Sequence, residues 1–130
     1  MRTVLLDSHV VHWWSAEPDR LSAAAVKAVR EAEELAVADI SWFELAWLAT
    51  HDRIRLTIPV SAWLQALSAQ VRTLAVTPAI AATAVALPSS FPGDPADRLI
   101  YATAVETGSR LVTKDSRLRN HRHPRPLTVW

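Results

Sequence analysis

The sequence predicts an α/β fold built on a mostly parallel central sheet, with one domain filling residues 1–130. Three observations lead there. Short β-branched or apolar runs alternate with longer helical stretches from end to end, the order expected of strand–helix–strand units. Two of those runs, Thr3–Leu6 and Leu111–Thr113, lead directly into segments carrying Asp7 and Asp115, and parallel sheets form their sites beyond the carboxyl ends of strands. Half of the residues are hydrophobic and 21% are charged, an ordinary balance for a globular chain long enough to bury a core.

Taken in order, Thr3–Leu6 reads as a strand stopped by Asp7-Ser8, and Val10–Trp14 as a short helix. Ser22 is the expected N-cap of an Ala-rich helix running to about Glu34, with Val26, Val29 and Ala32 along one face. Leu35–Ala38 is a second strand. Ser41–Ala49 follows as a helix in which Trp42, Leu45 and Ala49 are spaced for burial, while Phe43 and Trp47 form a second apolar strip. Pro59–Leu67 is another helix and Arg72–Val76 another strand. Thr77 then caps a helix to Leu87 with Pro78 at its first position. Three prolines, two serines and a glycine between Pro88 and Pro95 mark the clearest loop. Pro95–Thr107 is a helix stopped by Gly108, and Leu111–Thr113 and Leu127–Val129 are the last strands. No repeat or low-complexity tract interrupts this order.

Composition excludes several kinds of chemistry. Two glycines cannot build a Gly-rich phosphate cradle, and the absence of cysteine removes disulfides, thiolate metal sites and a thiol nucleophile. The apolar run before Asp7 is too short for a signal peptide, and charges recur too often for a membrane span; a cytoplasmic protein is expected. Net charge is +1, but residues 1–65 carry six Lys/Arg against nine Asp/Glu, and residues 66–130 eight against four. Much of the later surplus lies in Arg117, Arg119, Arg122 and Arg125, which suits a polyanion or an acidic partner; the plainer alternative is a solvated loop.

Four carboxylates stand out. Asp7 and Asp115 each follow a strand, and each could instead cap the helix or turn after it. Glu44 sits three residues after Ser41, and Asp97 three after Asp94, the spacing of a capping box. An acid in a helix's first turn also projects toward whatever lies at that helix's start, so capping position and site position can coincide. Four converging acids repel one another and raise their pKa values, a cost that a divalent cation removes. All-oxygen ligands favour Mg²⁺ or Mn²⁺ over zinc, and the histidines show no zinc-site spacing; His9 is the one expected to line the site.

The order of these pieces resembles the PIN-domain ribonucleases, particularly the toxins of bacterial VapBC-type toxin–antitoxin pairs. The matching segments are Leu5-Leu6-Asp7-Ser8-His9, Ser41-Trp42-Phe43-Glu44-Leu45-Ala46, Asp94-Pro95-Ala96-Asp97-Arg98-Leu99-Ile100 and Leu111-Val112-Thr113-Lys114-Asp115, so the resemblance spans essentially the whole chain. It implies a PIN-like three-layer α/β/α fold and an endoribonuclease with Asp7, Glu44, Asp97 and Asp115 as its acidic quartet. Asp7 and Asp97 would be the principal Mg²⁺ ligands and Asp115 a direct or water-mediated one, while Glu44 would orient or deprotonate the attacking water. Ser8, which stands where many relatives have Thr, would support the acids together with Ser41 and Asp94. Arg98, Lys114, Arg117 and Arg119 are candidates to hold the RNA backbone. The resemblance further implies a cognate antitoxin and a homodimer; some of the six tryptophans would pack the core and others would line a groove for a partner helix.

Other readings compete. A phosphoacceptor receiver domain also places aspartates at strand ends and a Thr-Lys pair such as Thr113-Lys114, but it needs adjacent acids after the first strand and would make Asp39 the acceptor. A dehalogenase-like phosphatase needs a second acid where His9 stands. A PIN-like module that binds RNA without cutting it is the third.

Overall fold

The computed structural model describes residues 2–130. Its sheet has five strands, β1 (Thr3–Leu6), β2 (Glu34–Ala38), β3 (Arg72–Leu74), β4 (Arg110–Val112) and β5 (Thr128–Val129), in the order β3-β2-β1-β4-β5. Every pair is parallel, with Leu5 of β1 level with Ala36 on one side and Leu111 on the other. The chain builds outward from β1 in one direction through β2 and β3, and in the other through β4 and β5. The strand order therefore switches between β1 and β4, and a crevice opens there at the carboxyl edge. Asp7 and Asp115 lie beyond the ends of those two strands.

Strand alternation divides the core between two faces. Val4 and Leu6 join Val10 and Val11 of α1 (Ser8–Ala16), Ala25 of α2 (Ala23–Glu31), Leu45 of α3 (Ile40–Thr50) and Trp63 and Leu67 of α4 (Val60–Ser68). Leu5 turns the other way, onto Ile100, Tyr101 and Ala104 of α6 (Pro95–Thr107) and Leu118 of α7 (Ser116–Arg119). Outside α6 lies α5 (Pro78–Ala86), packed through Ile80 and Ala84 against Ala102. This is the α/β/α layering expected from the sequence.

Several boundaries move for local reasons. Helix α1 begins at Ser8 because Asp7 caps it, its Oδ1 accepting the Ser8 N–H at 2.8 Å. Helix α2 ends at Glu31 because the chain must extend for Glu34 to pair with Thr3. Its inward face is Ala25, Ala28, Val29 and Ala32, rotated from the expected one so that Val26 lies to the side. Helix α3 begins at Ile40, earlier than Ser41. The Thr77 hydroxyl caps α5 as expected, and Gly108 ends α6 in the left-handed conformation at φ 67°. Among the described residues no helix is long and apolar enough to cross a membrane.

Candidate active site

Asp7 is fixed from three directions. Its backbone N–H extends the sheet by donating to Val112 O at 3.0 Å. Its Oδ1 accepts from Ser8 N–H, and its Oδ2 accepts from the Thr113 hydroxyl at 2.6 Å. Thr113 is fully buried and also accepts the Asp115 N–H at 3.1 Å, so one hydroxyl ties the ends of β1 and β4 together. In the sequence Thr113 stands at a strand end and beside Lys114; its link to Asp7 needs the β1–β4 pairing to be seen. Burial raises the pKa of Asp7 above the usual carboxylate value, and the bonds from Thr113 and Ser8 hold it down only in part.

Glu44 and Ser41 do not form the capping box that their spacing suggests. Helix α3 begins at Ile40 with Asp39 in the capping position, so Ser41 falls in the first turn with its buried hydroxyl against Ser8. The Ser8 hydroxyl donates to Glu44 Oε1 at 2.6 Å and lies 2.9 Å from the Ser41 hydroxyl. A buried serine chain thus runs from α3 to α1 and presents Glu44 toward Asp7. Burial raises the Glu44 pKa; the Ser8 bond opposes this, and the charges of Asp7 and Asp94 add to it.

Asp94 caps α6, its Oδ1 accepting from Ala96 N–H at 2.8 Å. Asp97, one turn in, has capping-box spacing from Asp94, but its Oδ2 accepts from Arg117 at 3.3 Å. The Asp97 pKa is pushed up to about 7, first by burial and then by the negative charges of Asp94 and Asp7, which outweigh the relief from Arg117. Asp115 behaves oppositely. Arg117 donates to both of its oxygens, Nε to Oδ1 at 3.1 Å and Nη2 to Oδ2 at 2.7 Å, and holds its pKa low. Arg117 therefore bridges two acids within the cleft.

The cleft has a volume of about 500 Å³ and gathers Asp7, Glu44, Asp94, Asp97 and Asp115, with Lys114 and Arg117 as its cations and His9 and Trp13 on its wall. The Lys114 ammonium stands 5.8 Å from the Trp13 ring centre. Two expected backbone-holding residues lie elsewhere. Arg98 is turned inward, and its guanidinium donates five hydrogen bonds to the carbonyls of Ala84, Leu87, Pro88, Phe91 and Pro92. A guanidinium has five N–H donors, so none is left for RNA. Arg119 is exposed but lines a separate hollow with His121 and Arg122. Asp39, required by the receiver reading, accepts from Val76 N–H and does not line the cleft.

Five acids against two cations leave a negative surplus, which adds to burial in raising the Asp97 pKa. Oxygen donors and surplus charge both fit a hard divalent cation. Among the described residues no three carboxylate or imidazole side chains stand close enough to grip one ion together. Mg²⁺ is commonly held by one or two carboxylates and keeps several waters, so the arrangement is compatible with it.

Beside the cleft, and sharing His9, Glu44 and Asp94 with it, lies a more apolar hollow lined by Ile40, Phe43, Trp47 and Leu48. Phe43 is 67% exposed and Trp47 45%, so the second apolar strip of α3 faces outward, while Trp42 and Leu45 pack inward.

Comparison with known proteins agrees with this architecture. The family model for the PIN domain matches residues 4–124. The chain is 74% identical over all 130 residues to Ribonuclease VapC22 of Mycobacterium tuberculosis (strain ATCC 25618 / H37Rv), and both chains are covered in full. It is also similar to a chain of a toxin–antitoxin complex from Klebsiella pneumoniae, at a TM-score of 0.70 and 21% identity, covering 98% of this chain and 96% of that one. VapBC2 from Rickettsia felis, bound to a DNA fragment from its promoter, matches at a TM-score of 0.67 and 11% identity over 91% and 92% of the two chains. These two structures share the fold. By the match over most of its length and the identity to a full-length relative, the chain belongs to the PIN-domain family.

Proposed function

We propose that this chain is a metal-dependent endoribonuclease and the toxin of a toxin–antitoxin pair, acting in the cytoplasm as one domain over residues 1–130. The observation that carries the reading is the single cleft lined by Asp7, Glu44, Asp97 and Asp115, where burial and the neighbouring acids together push Asp97 to about 7. The 74%-identical relative named as a ribonuclease supports the activity.

Asp7 and Asp97 are the residues that would hold Mg²⁺ or Mn²⁺ directly, with Asp115 reaching it through water; the ion when bound would supply an acidified water and take up charge on the phosphate oxygens. Asp7 is pre-oriented for this by Thr113 and Ser8. Glu44, held by Ser8, accepts the proton of the attacking water, and its raised pKa brings it nearer to neutral pH, where a general base works best. Arg117 and Lys114 offset the repulsion between the acids and the approaching phosphodiester. Attack by water leaves a 5′-phosphate and a 3′-hydroxyl and does not use the ribose 2′-hydroxyl.

The structural similarity to toxin–antitoxin complexes supports an antitoxin partner, and the apolar hollow with Phe43 and Trp47 offers a helical or extended segment surface to bury. Val85 on the outer helix α5 is 83% exposed and is available to a homodimer contact. The test is RNA cleavage by purified protein with added Mg²⁺ or Mn²⁺, comparing wild type with Asp7→Asn. The variant should be inactive; equal cleavage by the two would remove the catalytic assignment.

A further inference from the structure

The arginine-rich segment that made the charge of the second half so uneven has a defined place in the fold. After Asp115 the chain carries four arginines and two histidines and no acid. Two hollows lie along this segment. The first, of about 600 Å³, is lined by Arg117, Asn120, His121 and Arg122 with Ser90 and Pro92. The second, of about 440 Å³, takes in His121, Arg122, Arg119 and Tyr101. Both volumes lie within the range of small-ligand sites, roughly 300–1,000 Å³.

Shared residues place these hollows one after another beside the acid cleft. Arg117 lines both the cleft and the first hollow, and His121 and Arg122 line both hollows. No carboxylate lines either hollow, whereas five line the cleft. The path thus runs from a negative reaction site onto a positive surface that has no acid to neutralise it.

Along the seam the half-buried His121 packs against two buried aromatic rings. His121 stands edge-on to Phe91 at 5.1 Å and to Tyr101 at 5.4 Å. Tyr101 is buried, and its hydroxyl has no hydrogen-bond partner in the protein. Arg125 also lines the second hollow, with its Nη2 donating to the carbonyls of Ala104 and Val105 at the end of α6.

We propose that this strip is an RNA track: single-stranded RNA flanking the scissile phosphate leaves the cleft past Arg117, and its phosphates are carried by Arg122 and Arg119, with Asn120 and His121 contacting the strand between them. A positively charged groove that tracks the backbone is the arrangement that holds single strands with little sequence preference. The inference rests on the ribonuclease reading and extends it by naming where the substrate flank lies.

The test is RNA binding in EDTA, which prevents cleavage, using fluorescein-labelled uridine oligonucleotides of about 5 and about 20 residues. Wild type is compared with the double variant Arg119→Ala/Arg122→Ala; both side chains are exposed, and melting temperature checks the fold. For the long oligonucleotide the variant should bind about tenfold more weakly at low salt, and its slope of log affinity against log salt should fall by about 1.4, about 0.7 for each lost phosphate contact. The short oligonucleotide should lose much less. Equal loss for both lengths, or no loss for the long one, would overturn the track. If the variant keeps its RNA affinity but loses binding of poly-glutamate that wild type shows, the strip serves an acidic protein segment and the proposal falls. A wild type that cleaves RNA while the double variant behaves identically would refute the track alone, whereas a wild type that neither binds nor cleaves RNA would refute the ribonuclease reading with it.

Discussion

Replacing Asp97 with asparagine should stabilise the metal-free protein at alkaline pH while abolishing cleavage. In the fold Asp97 has a pKa of about 7 against an ordinary 3.8. The folded protein therefore holds this proton more tightly than the unfolded chain does. Stability from the protonated carboxyl is fully present below pH 3.8 and is lost as the pH rises through 7. The change from 3.8 to about 7 corresponds to about 4 kcal/mol at most. The side chain is 14% exposed, so solvent screens it little, but relaxation of the cleft lowers the expected gain for Asp97→Asn to about 2–3 kcal/mol at pH 8. At pH 4.5 the folded carboxyl keeps its proton, and the gain should fall below about 1 kcal/mol. Urea unfolding in EDTA at the two pH values measures this, with the pH 8 midpoint rising by about 1–1.5 M. A variant no more stable than wild type at pH 8, or equally stabilised at both pH values, would refute the idea that the acids strain the cleft.

Three other substitutions probe the framework. Arg98→Ala removes five bonds to loop carbonyls and should cost about 2–4 kcal/mol, since several acceptors are left without partners; this appears as a melting temperature about 10 °C lower, and a loss under about 1 kcal/mol would contradict the clamp. Ser8→Ala takes from Glu44 the bond that lowers its pKa, so the acidic limb of the rate–pH profile should move to higher pH with kcat about tenfold lower; an unmoved limb would separate Glu44 from the proton transfer. Gly108→Ala places a Cβ in open space but at φ 67°, so about 1 kcal/mol of backbone strain should appear in urea unfolding without any change in activity.

Much of this fold was readable from local pattern. Val4 and Leu6 alternate with Leu5 as a doubly covered strand requires, and Thr77-Pro78 and Gly108 mark helix ends by chemistry that acts within a few residues. What failed was tertiary. Ser41 and Glu44 have capping-box spacing, yet α3 starts at Ile40 and both side chains turn to Ser8, more than thirty residues away. Asp97 likewise meets Arg117 from another element. Arg98 reads as surface charge on a helix, but the proline-rich loop folds back over it and offers more carbonyls than its own backbone can satisfy. Thr113 was visible as a residue but not as the link between Asp7 and Asp115, because strand pairing is a long-range fact.

The central claim is that a carboxylate-held cation directs water onto an RNA phosphodiester, and the chemistry of the cut ends tests it most directly. Purified wild-type protein, incubated with RNA in Mg²⁺ or in EDTA, should give fragments with 5′-phosphate and 3′-hydroxyl ends in the first and none in the second. Fragments ending in 2′,3′-cyclic phosphate, or equal cleavage in EDTA, would show that the ribose hydroxyl and not a metal-activated water does the chemistry, and would contradict the account.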